Sequence, residues 1–321
     1  MMFVPILIVF SALVIDLVFG DPKNKFHPTA WVGTIIARLV PFAKNQSQTK
    51  EKIGGVLVTV FVAALVAGLL FSYDYIMKTS DIVLTVIAIL IGSLLLKTTI
   101  AIKGLEKHGN LVMESLSKNN LEEARSRLSM LVKRNTKDLD RNHVISATLE
   151  SISENIVDGI TGPLFYFGLF GLPGAFVHRT INTIDSMIGY KTAMFRNVGW
   201  FGANCDKALN YLPARITGLV MILAAVLVKA DWKNSLTTMK RDGKNTESPN
   251  AGYPMAAMAG ALGTRFEKID HYTLGNGTLE LDENHFRSAV LLMKVTGILF
   301  CVLITVPLIV FLSYLGWWIH V

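Results

Sequence analysis

Apolar residues recur along the chain in runs that are long enough to cross a lipid bilayer. A helix that spans the hydrocarbon core needs about 20 mostly apolar residues, or slightly fewer. Four runs meet this requirement, at 3–19, 53–71, 82–102 and 295–315. Trp317 and Trp318 follow the last run, where aromatic residues suit the membrane interface. The pattern predicts an all-α fold: a polytopic α-helical integral membrane protein with cytoplasmic helical loops.

Two shorter apolar stretches, 160–177 and 216–228, leave the number of crossings open between four and six. The other spans fix the sides of the flanking chain, so both stretches cross or neither does. Glycine and proline interrupt the first stretch, which favours re-entrant or interfacial helices over true spans. Irregular backbone at membrane depth is tolerated only where protein or a wet cavity surrounds it. An active site at the membrane surface would supply such surroundings.

The distribution of lysine and arginine predicts the orientation. Segment 20–52 carries six basic residues, whereas the link 72–81 holds only Lys78 and the C-terminal tail holds none. Because basic loops stay in the cytoplasm, both termini are expected outside. The predicted helical region 103–215 is then cytoplasmic. We expect residues 1–321 to form a single membrane-embedded, multi-pass domain in the cell membrane.

Composition agrees with a membrane protein and argues against several other classes. The chain is 51% hydrophobic and 17% charged, against about 25% charged in soluble domains. Its net charge of +7 does not indicate nucleic acid, because the basic residues do not interleave with aromatic ones. Cys205 and Cys301 lie in different contexts, so no disulfide is expected. No phosphate-loop motif occurs either.

The first constellation that could carry chemistry is an acidic row. Glu150, Glu154 and Asp158 follow one another at a spacing of four, which places them on one helical face. Like charges at this spacing destabilise a helix by a few tenths of a kcal/mol per pair, so a counter-charge is expected. Mg²⁺ held by carboxylates and substrate phosphates would provide it. Spacing alone leaves a solvated acidic face as the alternative.

A second polar group lies where the apolar stretch 160–177 ends. His178, Asn182 and Asp185 share one helical face. Arg179 beside them can hold a phosphate or carboxylate through two parallel hydrogen bonds. A hydrogen-bonded cluster at a helix end is the alternative interpretation.

Two further groups are less specific. A carboxylate near the inner end of the first span, Asp16, is costly without a partner or a wet cavity. Asp21 and His27 follow closely, although these residues could merely mark the interface. The string Ser248–Pro254 runs into small residues that permit close helix packing. Around Gly275-Asn276-Gly277 we expect a loop or hairpin turn.

Several short sequence strings, including the groups above, follow one another in order between about residue 13 and residue 265. They are Asp16-x-x-x-Gly20-Asp21-Pro22 with His27-Pro28 and Gly33, Glu150-Ser151-x-Ser153-Glu154-Asn155-x-x-Asp158-Gly159, Gly171-Leu172-Pro173-Gly174-Ala175, Asn182-Thr183-x-Asp185-Ser186-Met187-x-Gly189-Tyr190, Pro213-Ala214-Arg215 and Ser248-Pro249-Asn250-Ala251-Gly252-Tyr253-Pro254. Together they resemble the CobD/CbiB family of adenosylcobinamide-phosphate synthases, membrane enzymes of cobalamin biosynthesis. One departure is Asp206-Lys207, where the family usually shows paired aspartates. It puts a role for the second acid in doubt.

The resemblance implies a carbon–nitrogen ligase. Such enzymes join (R)-1-amino-2-propanol, or its O-phosphate, to a propionate side chain of adenosylcobyric acid, giving adenosylcobinamide (phosphate). Amide formation in water is uphill, so ATP is the expected co-substrate and an acyl phosphate the expected intermediate. Mg²⁺ and cationic groups would stabilise the transferring phosphate. Besides these substrates the expected partners are the lipid bilayer and, as candidates, other corrin-pathway enzymes.

Residue spacing and the density of the matched motifs together suggest roles for individual residues. The expected catalytic residues are Glu150, Glu154, Asp158, Asn182 and Asp185, with Glu154 and Asp158 as metal ligands. The expected substrate- or phosphate-binding residues are Asp16, Asp21, His27, His178, Arg179, Arg196, Arg215 and Asn250. The amine's phosphorylation, the ATP site and the oligomeric state stay open.

Two other functions are compatible with an intramembrane carboxylate and broken apolar segments. A corrinoid or ion transporter would move substrate without ATP turnover, but the two halves show no inverted repeat. A non-enzymatic membrane regulator would tolerate single replacement of its polar motifs. The dense polar run between residues 150 and 215 favours an enzyme over both.

The predicted orientation can be tested directly. A membrane-impermeant label should reach residues 150–215 in inside-out vesicles but not in right-side-out vesicles. Labelling from the exterior would contradict both the orientation and a site with access to cytoplasmic nucleotide.

Overall fold

The computed structural model describes residues 3–22, 24–77 and 81–317. Lys78, which supports the predicted orientation, and Trp318, which follows the last predicted span, lie outside these residues. The helices, in chain order, are α1 Phe3–Phe19, α2 Pro28–Ala43, α3 Gln48–Met77, α4 Ile82–Lys97, α5 Ile102–Ser117, α6 Leu121–Leu128, α7 Arg141–Ile156, α8 Gly162–Ile188, α9 Trp200–Leu227, α10 Trp232–Asp242, α11 Gly252–Ala261, α12 Glu283–Phe300 and α13 Val306–Tyr314. The predicted all-α class is confirmed.

Short elements complete the chain. A 3₁₀ turn spans Asn24–Phe26, and π-helical turns at Val157–Thr161 and Cys301–Thr305 join α7 to α8 and α12 to α13. Strands β1 Phe266–Lys268 and β2 Tyr272–Leu274 form an antiparallel hairpin. The hairpin turns at residues 269–271. The stretch Gly275-Asn276-Gly277 follows β2 as a loop, so the loop alternative predicted there is confirmed.

The contacts divide the chain into two compact units. The first unit comprises Met1–Ala101, Gly162–Asn210 and Cys301–Val321, and the second comprises Ile102–Thr161 and Tyr211–Phe300. This division does not test the expected single domain of residues 1–321, which stays a prediction.

Outward-facing apolar side chains mark the first unit as a membrane structure. On α1, Leu7, Phe10 and Val14 are exposed along one face, whereas Val9 and Ala12 are fully buried on the opposite face. Soluble monomers rarely expose apolar patches of more than a few hundred Å², so this face suits lipid. Among the described residues, five helical segments are long and apolar enough to cross a membrane: Gln48–Ile76, Ile82–Ser117, Arg141–Ile188, Trp200–Leu227 and Glu283–Tyr314. Phe3–Phe19 is a shorter apolar helix.

Several bounds differ from the predicted spans. Helix α4 ends at Lys97 rather than continuing to 102, because the chain turns and the hydroxyls of Thr98 and Thr99 donate to the carbonyls of Leu95 and Leu96. The stretch 216–228 forms only the second half of α9, which begins at Trp200. Hydropathy located the apolar part of each segment, but it did not predict the residues at which the helices begin and end.

Helix α8 reverses direction within the first unit. Its backbone leaves helical geometry at Phe170 (φ −134°, ψ 17°) and Gly171 (φ 63°, ψ −152°), the latter a conformation that favours glycine. The ring of His178 stacks on Tyr166 with centroids 5.3 Å apart, whereas the same twelve positions of straight helix would separate them by about 18 Å. Trp317 Nε1 donates to the Leu169 carbonyl at 2.9 Å beside this reversal. Such a reversal is what the re-entrant alternative requires, while the number of crossings stays a prediction.

The close packing of α3 yields a stability prediction. A Cβ at Gly55 would clash with the carbonyl of Val198, whereas a Cβ at Gly68, on the same helix, would meet nothing within 4 Å. Overpacking of this kind costs about 1–3 kcal/mol. We therefore expect Gly55→Ala to lower the thermal unfolding midpoint of the detergent-solubilised protein.

Gly68→Ala is the matched control, and its midpoint should be unchanged or raised, because alanine favours helix. The measurement is monodisperse protein remaining after heating, followed by size-exclusion chromatography. Equal unfolding midpoints for the two variants would show that the close contact between Gly55 and the Val198 carbonyl does not require glycine.

Candidate functional site

A buried lysine joins the N-terminal motif residues in the first unit. Lys97, the last residue of α4, places its Nζ atom 2.7 Å from Asp21 Oδ1 and 3.6 Å from Asp16 Oδ1. Asp16 and Lys97 are both buried, so the ammonium supplies a counter-charge that a carboxylate at this depth needs. His27 Nε2 lies 3.6 Å from Asp21 Oδ1. The predicted members Asp16, Asp21 and His27 are thus brought together, around a residue that the prediction omitted.

The charge state of Asp21 follows from these neighbours. Its partial burial opposes ionisation, but hydrogen bonds from His27 and Lys97 and the charge of Lys97 together hold the pKa of Asp21 below its usual value. Asp21 is therefore an anion at neutral pH, and its carboxylate holds the chain between α1 and α2 against the end of α4.

A second network in the first unit contains His178 and Asp206. Asn210 Nδ2 donates to both carboxylate oxygens of Asp206 at 3.2 Å, so its Oδ1 faces His178 Nε2 at 2.8 Å. A carbonyl oxygen only accepts, so Nε2 of His178 is the donor in this hydrogen bond. The orientation of the Asn210 amide thereby fixes a proton on Nε2.

The same carboxylate continues the network to Arg179. Asn182 Nδ2 donates to Asp206 Oδ1 at 3.3 Å, and Asn182 Oδ1 accepts from Arg179 Nη1 at 3.2 Å. Asp206 on α9 therefore joins three motif residues of α8. Asp185 lies one turn beyond Asn182 and is partly exposed.

In the second unit, Glu150 is enclosed by donors. Its Oε1 accepts from Ser146 Oγ at 2.8 Å and from Arg134 Nη2 at 3.1 Å, and its Oε2 accepts from Tyr272 Oη at 2.8 Å. Burial and the Glu150 charge raise the pKa of Tyr272, so its phenol stays protonated as a donor. The backbone N–H of Glu267 donates to Ser146 Oγ at 2.9 Å. Glu150 thus ties α7 to both hairpin strands.

The two other acids of the row have different surroundings. Glu154 is exposed, and Asp158 is partly exposed within the π-helical turn that follows α7. Such turns are frequent at functional sites. Within the described ranges, no group of three or more His, Cys, Asp or Glu side chains is arranged to hold a metal ion. A metal in this unit would therefore need ligands from substrate phosphate and water besides these carboxylates.

Arg215 is fixed by the Ser248–Pro254 string. Its guanidinium donates to Asn250 Oδ1 at 3.0 Å and to the Pro249 carbonyl at 3.2 Å. The rings of Tyr211 and Tyr253 lie 3.5 and 4.4 Å from its central carbon. The predicted pair Arg215 and Asn250 is therefore in direct contact, and this string holds an arginine rather than only packing a helix.

The predicted site residues therefore form separate groups. Arg196 is exposed on the segment between α8 and α9 and belongs to none of the hydrogen-bonded groups above. Sequence reasoning gave no role to the residues that complete each group: Lys97, Arg134, Asp206, Asn210, Tyr253 and Tyr272. Two signals were available. Lysine in the last turn of an apolar span is a charge that usually has a partner inside a membrane, and Asp206 and Tyr253 stand in strings that carry the family resemblance.

Comparison with known proteins identifies the family. The family model described as CobD/Cbib protein matches residues 9–293. The chain belongs to the CobD/CbiB family. No solved structure matches it.

Its relatives in this family match over nearly their full length. A protein of Methanothermobacter thermautotrophicus named "Probable cobalamin biosynthesis protein CobD" is 39% identical over 90% of this chain and 93% of its own. One of Methanocaldococcus jannaschii with the same name is 36% identical over 98% of both chains. The "Cobalamin biosynthesis protein CobD" of Dehalococcoides mccartyi is 35% identical over 95% of this chain and 98% of its own.

The contrast between Glu150 and Glu154 predicts different consequences of substitution. Glu150→Ala would leave the partly buried Arg134 guanidinium and Tyr272 hydroxyl without their acceptor, so the free energy of unfolding should fall by about 2 kcal/mol. Glu154→Ala removes an exposed side chain, and its effect on stability should stay within about 0.5 kcal/mol. Thermal unfolding in one detergent compares the two variants, and equal losses would contradict a structural role confined to Glu150.

Proposed function

We propose that this chain catalyses ATP-dependent ligation of (R)-1-amino-2-propanol, or its O-phosphate, to a propionate side chain of adenosylcobyric acid. Membership of the CobD/CbiB family, with relatives named for cobalamin biosynthesis, supports a role in that pathway. One geometric observation supports the ligase chemistry. Along the acidic row, Glu150 is buried among donors, whereas Glu154 is exposed and Asp158 partly exposed beside a π-helical turn. Glu154 and Asp158 are then the carboxylates available for chemistry, whereas Glu150 holds parts of the second unit together.

The first step activates the propionate. A propionate oxygen attacks the γ-phosphorus of ATP, the bond to the β,γ-bridging oxygen breaks, and ADP leaves with that electron pair. Charge on the transferring phosphoryl group requires cationic donors. Arg179 is partly exposed and held by Asn182, so it is the candidate for this contact. Arg196, exposed on the segment that follows α8, is the second candidate.

The second step forms the amide. The unprotonated amine attacks the acyl carbon, the carbon–oxygen bond to phosphate breaks, and the amine loses a proton as inorganic phosphate leaves. A carboxylate near the amine can hold its ammonium form and accept the proton. Asp185, partly exposed on α8, is the candidate for that role.

The residues of the acidic row fit a magnesium ion bound together with nucleotide. Mg²⁺ commonly takes one or two protein carboxylates, with substrate phosphates and water as the remaining ligands. Glu154 and Asp158, one helical turn apart, are the carboxylates that would hold it. Bound there, the ion would neutralise phosphate charge during transfer.

The decisive experiment uses purified full-length protein. Incubation with adenosylcobyric acid, ATP, Mg²⁺ and either aminopropanol or its O-phosphate should yield the amide by mass spectrometry, with one ADP formed per product. Glu154→Ala and Asp158→Ala should each lower the rate by at least about 100-fold, a typical loss for a group that stabilises transferring charge. The more effective amine identifies the physiological substrate.

Glu122→Ala serves as the control, since Glu122 is an exposed helix-surface carboxylate paired with Arg125; this variant should retain full activity. Full amide synthesis by Glu154→Ala and Asp158→Ala at unchanged protein amount would remove their proposed roles. Corrinoid flux into proteoliposomes without ATP turnover or amide would favour a transporter instead.

A further inference from the structure

A row of exposed lysines follows the apolar end of α9 in the second unit. Lys229 lies just beyond α9, and Lys233, Lys240 and Lys244 follow on and after α10. Lys233 and Lys240 are seven positions apart on α10, which places them on one side of the helix, and Lys244 follows two residues after the helix ends. We call these four side chains the basic face. Among the ion pairs of the described residues, none includes a member of it.

Packing on the opposite side fixes the direction of the basic face. Ser235 Oγ of α10 donates to the Ala257 carbonyl of α11 at 2.8 Å, and Asn234 Nδ2 donates to the Gly260 carbonyl at 2.8 Å. Met239 packs against Gly218 of α9 so closely that a Cβ there would clash with its sulfur. The buried side of α10 is thereby held by two helices, and its lysines must point away from the protein.

Acidic residues near the basic face are already engaged. Asp231 caps α10 by accepting from the backbone of Asn234. Asp242 binds Arg241 and the Gly275 backbone N–H, and although burial opposes ionisation, these hydrogen bonds keep the pKa of Asp242 below its usual value. Neither carboxylate is ion-paired with any of the four lysines among the described residues, so the basic face keeps a net positive charge.

The position of the basic face relative to a bilayer follows from α9. Leu219, Leu223 and Leu227 are each at least half exposed and form one stripe along this apolar helix. Lipid is the natural contact for such a stripe. Trp232 is exposed only five positions after Leu227, with Lys233 Nζ 5.7 Å from its ring centroid. Tryptophan and lysine together at the end of an apolar stripe are typical of the membrane interface.

A cavity beside Lys229 offers room for a headgroup. Its volume is about 460 Å³, and Leu291 and Leu292 line it together with Asn284 and Ser288. Asp282 and His285, which also line it, bind each other at 2.6 Å. Apolar side chains beside hydroxyl and amide groups suit the junction between acyl chains and a polar headgroup.

We propose that the basic face binds the phosphate groups of anionic phospholipids, so that α10 lies along the membrane surface. Each lysine near an anionic bilayer contributes to attraction, and the effect falls off within a Debye length. Binding of this kind would fix the second unit against the membrane at α10. The inference concerns a lipid site and does not depend on the proposed ligase activity.

Tryptophan quenching tests this lipid contact in the full-length protein. In nanodiscs of phosphatidylcholine, the same mole fraction of brominated phosphatidylglycerol or brominated phosphatidylcholine is introduced. The difference between the native chain and Trp232→Phe isolates the emission of Trp232. Brominated phosphatidylglycerol should quench it about two-fold more strongly, and high salt should reduce this excess.

Variants decide whether the lysines cause the excess. Lys233→Gln, Lys240→Gln and Lys244→Gln combined, which leave Lys229 in place, should lower the quenching ratio towards one. Lys107→Gln, Lys118→Gln and Lys137→Gln combined remove the same charge from other exposed positions and should leave the ratio unchanged. Both triple variants change surface residues only, and their elution in size-exclusion chromatography verifies folding.

Three outcomes would overturn the proposal. Equal quenching by the two brominated lipids would show that the basic face does not select anionic headgroups. An unchanged ratio in the first triple variant would remove the lysines from lipid recognition. Suppression of the excess by ATP at constant ionic strength, with weaker equilibrium binding of ATP by that variant, would assign the basic face to a soluble phosphate ligand.

Discussion

A charged or hydrogen-bonding group buried in an apolar helical interior costs several kcal/mol unless a partner satisfies it. In the first unit, this requirement places Lys97 between two aspartates and joins His178 to Asp206 through an asparagine. In the second unit, it surrounds Glu150 with a guanidinium and two hydroxyls. The polar motifs are therefore held in place by partners from other parts of the chain.

Residues of the same type differ in whether such partners enclose them. Three acids at a spacing of four look equivalent in sequence, yet Glu150 is enclosed by donors and Glu154 is exposed. The arginines differ similarly. Arg215 lies between two tyrosine rings and donates to the string that follows Ser248, whereas Arg196 is exposed. The motif residues therefore include some that the protein encloses and others that are exposed to solvent.

A structural feature can be predicted from the sequence when its cause lies in neighbouring residues, and less well when its cause is a distant contact. Helix α1 has the predicted bounds, 3–19, because a continuous apolar run ends at Gly20, whose φ of 68° favours glycine. The break in α8 could be expected from glycine and proline, but its position at Gly171 follows from contacts such as Tyr166 on His178.

The local sequence pattern could not predict which residues are the partners of the motif residues. Lys97 reaches Asp21 across 76 positions, and Tyr272 reaches Glu150 across 122. Neither spacing nor hydropathy carries information at that range, because such contacts depend on how helices pack. The resemblance supplied the motif residues, but it could not supply the residues that neutralise them.

Helical geometry also explains the one departure from the family pattern, Asp206-Lys207. Consecutive helical residues point about 100° apart, so two neighbouring acids cannot both face the same partners. Asp206 faces inward and accepts from the amides of Asn182 and Asn210, whereas Lys207 is exposed. A second aspartate at 207 would have projected outside this network. The first acid is the one whose loss would leave two buried amides without an acceptor, so the network tolerates lysine at the second position.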